Sequence, residues 1–221
     1  MKKIIAVVPI RKGSQRVKNK NFKHFAGKNL LIHKIDILKK IKDIDEIVIN
    51  TDSDEAIEIS KNYNVSYFKR EDFFASSECT NSDFWKNIAE NTKSEFIMFT
   101  NCTSPLITHK TYSEIISIYK EKIATNEFDS LNTVNELKEF LFLDNKPLNF
   151  ETHKTPNSQD LPNIVKLNFA INILKTEDMY KNKSLIGKNP YLYNLDEIEG
   201  LDINTEFEFS YAEYLFKKKY E

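Results

Sequence analysis

From Ile4 to about residue 135, short apolar runs rich in β-branched residues alternate with stretches in which apolar positions recur every three or four residues. That alternation predicts an α/β fold, a mostly parallel sheet built by crossover helices. Strands are predicted at Ile4 to Val8, Glu46 to Asn50, Glu95 to Thr100 and Ser130 to Val134, each bare of charge inside, as strands buried on both faces should be. Helices are predicted at Leu30 to Ile41, Asp54 to Asn62, Ser82 to Lys93 and Lys110 to Lys122. Between about Glu136 and Leu161 the pattern turns polar, with Pro147 and Pro156 inside it and Pro162 just beyond, and no helical period. An excursion of that length is usually a lid or an interface arm. The reading is one domain, residues 1–221, carrying an extended arm over about 136–165. Order returns with a strand at Phe169 to Leu174 and a closing helix at Thr205 to Lys217, where Thr205 is the expected N-cap and Glu208 stands three residues later.

The composition narrows the class. The 221 residues hold 32 Lys and Arg against 33 Asp and Glu, a net charge of −1, so the chain has no global field for nucleic acid or an anionic membrane. No apolar run approaches the ~20 residues of a membrane helix. Met1-Lys2-Lys3 leads straight into the first strand with no secretory h-region, which predicts a cytoplasmic protein with Cys79 and Cys102 reduced. His24, His33, His109 and His153 show no metal spacing, and there is no CxxC.

The basic residues are 29 Lys and only three Arg, at positions 11, 16 and 70. Arg carries a rigid fork of donors that fits phosphate and carboxylate oxygens in pairs, so two of three Arg in one loop is informative. That loop, from Ile10 through Lys23, begins where the first strand ends, the edge at which open α/β sheets bind ligands. It carries six positive side chains, and Gly13 followed by Ser14 lets backbone N–H groups turn toward an anion. These parts predict a polyphosphate site, although neither GxxxxGK[ST] nor GxGxxG is present.

Arg11, Gly13, Ser14, Val17, Lys20 and Asn21 follow the first strand in the register Arg-x-Gly-Ser-x-x-(Ile/Leu/Val)-x-x-Lys-Asn. Thr51-Asp52-Ser53, Arg70 with Ser76, Ser77 and Asn81-Ser82 beyond it, Thr103-Ser104-Pro105-Leu106, Gln159-Asp160-Leu161-Pro162 and Leu201-Asp202-Ile203-Asn204-Thr205 follow in order along the chain. In these motifs the sequence resembles the acylneuraminate cytidylyltransferases, which activate sialic acid and related nonulosonic acids as CMP-sugars. The resemblance implies a Rossmann-like nucleotidyltransferase fold. It also implies a reaction of CTP with a sugar acid that releases pyrophosphate with the help of Mg2+. By the same resemblance, Arg11, Lys20 and Asp202 are catalytic; Arg11, Gly13, Ser14, Arg16, Lys20, Asn21, Arg70 and Ser82 bind nucleotide; and Asp202 holds the metal. Family members are commonly homodimers joined through the middle excursion, and the apolar run Phe140-Leu141-Phe142-Leu143 suits such an interface.

Departures from the pattern bear on the acceptor. The second acid of the family's Asp-x-Asp is Asn204 here, an auxiliary ligand that brings no charge, and the next acid is Glu208 where Asp is usual. The Arg residues that hold the sugar carboxylate are replaced near Gln159 by Lys154-Thr155-Pro156-Asn157-Ser158, which leaves Lys154 and Lys166 as alternative holders. Leu-Gln-Pro before Thr103 is replaced by Thr100-Asn101-Cys102, so Asn101 joins Thr103, Ser104 and Gln159 as a candidate acceptor contact. A different sugar acid or sugar phosphate as acceptor, and a catalytically weak nucleotide-binding member, are the alternative readings. Cys102 is expected to be a buried, inert thiol; Phe140, Phe142, Phe150 and Phe169 could line an acceptor pocket or a subunit seam, with the core as the first expectation because aromatic residues are more often found there.

Overall fold

The computed structural model describes residues 3–14 and 16–220. Seven strands, β1 (Ile4–Ile10), β2 (Glu46–Thr51), β3 (Ser66–Lys69), β4 (Phe96–Thr100), β5 (Ser130–Leu137), β6 (Ile164–Lys175) and β7 (Pro190–Asn194), form one sheet in the order β7-β5-β6-β4-β1-β2-β3. All adjacent pairs are parallel except those made by β6, which runs antiparallel to both β4 and β5. The sheet is therefore mostly parallel, as the alternation predicts, with one strand reversed. Residue 15, within the basic loop, lies outside the described residues.

Alternation along β1 explains the layers. Ile4, Ala6, Val8 and Ile10 face a core shared with α1 (Leu30–Leu38), α5 (His109–Ile118) and α7 (Glu206–Tyr220). Ile5 and Val7 face a second core with α4 (Asn81–Glu90) and α6 (Thr176–Asn182). Both faces of the central strands are thus dry, which is why they carry no charge. Caps written in the sequence fix the helix starts. Asn29 accepts from Ile32 N at 2.9 Å ahead of α1, Ser53 opens α2 (Asp54–Asn62), and Thr80 and Thr108 open α4 and α5. Thr205 and Glu208 form the expected capping box: Thr205 Oγ1 accepts from Glu208 N at 3.2 Å, and Glu208 Oε2 accepts from Thr205 N at 2.7 Å.

The elements β3, β7 and α6 escape the sequence pattern, as do the short α3 (Asp72–Ala75) and a small hairpin of His24–Phe25 with Lys28–Asn29. The excursion also needs correcting, because it is not structureless. β5 and β6 extend into it as a ribbon paired from Leu137↔Ile164, and a hairpin at Phe142–Leu143 and Lys146–Pro147 follows, with two short helical turns at Thr152–Lys154 and Ser158–Asp160. The core expectation for its aromatic residues is overturned as well. Phe140 and Phe142 meet Phe150 edge-to-face with ring centroids 5.0 and 5.4 Å apart, but Phe140 is 41% and Phe142 60% exposed.

Candidate active site

The basic loop leaves β1 at the carboxyl edge of the sheet and is tied down there by β2. Asp52 Oδ1 accepts from Lys12 N at 2.8 Å, and Gly13 turns the chain at a φ of 75° that other residues adopt at a cost. Val17 is buried under the loop and anchors it to the core. Arg11, Ser14, Arg16, Lys20 and Asn21 then line a cleft of about 420 Å³ whose other wall is Asn101, Cys102 and Thr103, from the end of β4.

Lys20 joins this loop to the segment before α7. It is buried, its Nζ donates to the Ile203 carbonyl, and Ile203 N donates to the Thr103 carbonyl at 2.8 Å. Burial lowers the Lys20 pKa, Asp202 opposes that shift, and the nearby Arg16 charge adds to it. Two motifs 183 residues apart therefore meet at one ammonium, and the third is tied to them through the Ile203 N–H.

Arg11 and Pro9 also border a smaller cavity of about 200 Å³, lined by Arg70, Ser76, Cys79, Asn81 and Phe84. Arg70 is buried, donates from Nε to Asn50 Oδ1 and from Nη2 to the Asn50 carbonyl, both at 2.7 Å, and lies 4.3 Å from the Phe84 ring centroid. Burial depresses its pKa to about 10, with the like charge of Arg11 contributing and Asp52 opposing. One Nη is left free of these bonds to meet a ligand. Ser82 is on the first turn of α4 but lines neither cavity; its neighbour Asn81 does.

Asp202 lies on the far side of Lys20, at a third cavity of about 430 Å³. Its Oδ2 accepts from Asn204 Nδ2 at 2.8 Å, while its Oδ1 is buried with no hydrogen-bond partner among the described residues. A buried carboxylate oxygen without a partner is expensive unless a cation or donor reaches it, so this atom fits a divalent ion. Asn204 turns its amide nitrogen to Asp202, which makes it a holder of that carboxylate in this arrangement. Glu208 takes the N–H groups of Asn204 and Thr205, both at 2.7 Å. No group of three or more His, Cys, Asp or Glu side chains among the described residues could close a metal cage alone.

Of the two lysines, Lys166, on β6, is the one that lines the third cavity, alongside Asn135, Asn168 and Phe169 and five acidic side chains, Glu136, Glu139, Glu197, Asp202 and Glu208. Lys154 and Gln159 lie exposed on the arm and line none of these cavities. Asn101 donates from Nδ2 to the Phe169 carbonyl at 3.2 Å and so joins the cleft to β6. Ser104 is buried away from the cleft, its carbonyl 3.4 Å from Lys34 Nζ. Cys102 is buried as expected, and that burial pushes its thiol up to about 12.

Lys34 is a feature missed in the sequence. It is buried, donates to the Tyr112 hydroxyl at 2.6 Å and sets a positive charge behind Cys102. Its mark was readable, since it falls on the apolar stripe Leu30, Leu31, Ile35, Leu38 of α1. Asn135 and Asn168 were readable too, as amides in otherwise apolar strands.

Comparison with known proteins bears on the family and the fold. A family model for cytidylyltransferases matches residues 5–218. Flagellin modification protein B of Campylobacter coli is 26% identical over 232 residues, covering 99% of this chain and 97% of that protein. The CMP-N,N'-diacetyllegionaminic acid synthase of Campylobacter jejuni is 24% identical over 236 residues, with 99% and 97% covered. Among solved structures, a CMP:2-keto-3-deoxy-manno-octonic acid synthetase in complex with CTP superposes with a TM-score of 0.72 at 11% identity, covering 98% of this chain and 99% of that one, a likeness of fold. No helix among the described residues is long and apolar enough to cross a membrane.

Proposed function

The chain belongs to the cytidylyltransferase family, and from that premise we propose that it joins CTP to a nonulosonic sugar acid, releasing pyrophosphate and a CMP-sugar. A sugar hydroxyl oxygen bonds to the α-phosphorus and gives up its proton, while the bond from that phosphorus to the bridging oxygen breaks and pyrophosphate leaves. Charge develops on the phosphoryl oxygens and on the leaving group, so fixed positive groups supply most of the catalysis. Arg11, Arg16 and Lys20 answer that need in the larger cleft, with Ser14 and Asn21 as neutral donors. Arg70, stacked on Phe84 beside Asn81, suits the nucleoside end. Lys166 is assigned the acceptor carboxylate as the one cation lining the cavity of Asp202, the remaining charged side chains there, Glu136, Glu139, Glu197 and Glu208, being acidic and suited to hydroxyl groups or a cation.

Magnesium, which takes oxygen ligands and keeps several waters, would be held by Asp202 together with substrate phosphates, where it supplies neutralising charge. The carrying observation is that Lys20 fastens the basic loop to the backbone beside Asp202. A homodimer belongs to the same reading: Phe142, Leu143 and Leu148 are each more than half exposed on the arm, and a second copy would cover them. The test incubates the protein with CTP, magnesium and a panel of sugar acids and measures pyrophosphate. Release with a nonulosonic acid is expected. Release only with another acceptor, or CTP binding without turnover, refutes the reading; a monomer on size-exclusion chromatography refutes the dimer.

A further inference from the structure

Phe169 stands in a backbone conformation that its side chain disfavours. Eight non-glycine residues among those described have positive φ; five are Asn or Asp, and Phe169, at 54°, is the only aromatic one. A bulky residue there is an outlier, held only where the surroundings over-determine it. They do so here. The register of β6 against β5 shifts between Leu167 and Asn172, and the bulge is fixed by amides. The Phe169 carbonyl accepts from Asn101 Nδ2 and Asn172 Nδ2, both at 3.2 Å. Asn168 Oδ1 accepts from Thr133 Oγ1 at 2.6 Å and from Ala170 N at 3.1 Å, while its Nδ2 donates to Asn135 Oδ1 at 2.9 Å. None of these bonds uses the Phe169 side chain. Glycine or asparagine would occupy the same bulge with less strain, so the ring must be accounted for by what it touches.

The ring stacks on Trp85 with centroids 6.1 Å apart and planes 29° apart, both residues pack against the second core, and Phe169 also lines the cavity that holds Lys166 and Asp202. β6 is the one reversed strand, so it brings this bulge to the edge at which β1 and β4 end, opposite the basic loop. Resting on the acceptor site assigned above, we propose that Phe169, braced by Trp85, is the wall that limits the size of the acceptor's acyl substituent. A rigid aromatic face admits a small apolar group and clashes with a longer one, a discrimination a site obtains from a side chain that cannot yield.

The test compares Phe169→Gly and Phe169→Asn with the wild type, both replacements being compatible with the left-handed backbone. The probes are the N-acetyl and N-butanoyl forms of a nonulosonic acid, with pyrophosphate release as the assay. The wild type is expected to favour the N-acetyl form by about tenfold or more in kcat/KM. Each variant is expected to narrow that ratio to about threefold or less, chiefly through KM for the larger acid, with KM for CTP changed by no more than about twofold. Equal losses on both acids, or a wild type that does not discriminate, overturns the wall alone. Binding of CTP without release from any nonulosonic acid overturns the acceptor assignment and the wall with it.

Discussion

Replacing Lys20 by Met separates what this ammonium does for the fold from what it does for the substrate. The stem is nearly isosteric, so packing is kept, and only the charge and its donors go. In the free protein the buried charge is a burden, because burial lowers its pKa in spite of Asp202. Removing it relieves that desolvation and leaves the Ile203 carbonyl without its donor, a loss of about 1–3 kcal/mol. The two effects oppose each other, and the melting temperature should move by no more than about 4 °C for a chain of this size. Function has no such offset. A charge-assisted bond to a phosphate oxygen is worth about 1.5–3 kcal/mol, so kcat/KM for CTP should fall by about 10- to 150-fold. Initial rates of pyrophosphate release and a thermal melt read both quantities on one preparation. A near-normal kcat/KM refutes the reasoning; a melting temperature lower by more than about 8 °C would make Lys20 a structural pin instead. The pH profile adds a second reading. Lys20 is charged at neutral pH and loses its proton as pH climbs through a value below its ordinary 10.5, so kcat/KM falls on that limb and Lys20→Arg abolishes it. Over the same range the group's contribution to stability rises, because the unfolded chain holds the proton longer.

Arg11 borders both cavities of the nucleotide side and makes none of the bonds that fasten its loop, so Arg11→Ala should lower turnover at least about tenfold with an unchanged melt; near-normal turnover would remove the loop from the mechanism. Asn204→Asp sets a second carboxylate 2.8 Å from Asp202. Without magnesium it should melt below the wild type, and titration with magnesium should restore the melt and show tighter binding with activity retained. Complete loss of activity in that variant would mean that the amide of Asn204 has a task other than holding Asp202. An aromatic disulfide reagent at neutral pH should modify Cys79 alone in the folded protein and both thiols in guanidinium, because Cys102 is 2% exposed with its thiol pushed up to about 12; two fast thiols in the folded protein would contradict the packing at the cleft wall.

The parts of the fold that were legible are those in which one physical demand acts on every position of a segment. β1 and β4 must be apolar on both faces, and the helices that cover them must repeat at 3.6 residues, so the central strands and α1, α2, α4, α5 and α7 are written in the chain. β3 and β7 are the outer strands, mostly exposed or half-buried, and obey no such demand. β7 even begins with Pro190, which an edge tolerates and a central strand does not. α6 spans seven residues, too few for a period to show. The arm departs from the rule that aromatic residues mark the core, because Phe140 and Phe142 stand exposed on it.

The site divides along the same line. Its proposed phosphate side was legible partly as residue type, since two of only three Arg, Arg11 and Arg16, fall in one loop, while Lys20, Arg70 and Asp202 stand out only through the motifs that carry the family resemblance. Its acceptor side depends on backbone shape, which residue type records poorly. The left-handed turn at Phe169 is held by Asn101, Asn172, Asn168 and Thr133, residues that lie up to 71 positions apart only because β6 is reversed between β4 and β5. No local pattern can announce a conformation whose cause is non-local. Lys154 and Gln159, nearest in sequence to the expected carboxylate holders, consequently stand out on the arm, while Lys166 reaches the cavity because the strand that carries it runs into the bulge. In a fold of this kind the nucleotide side can be assigned from residues, and the acceptor side must be assigned from strand direction and register.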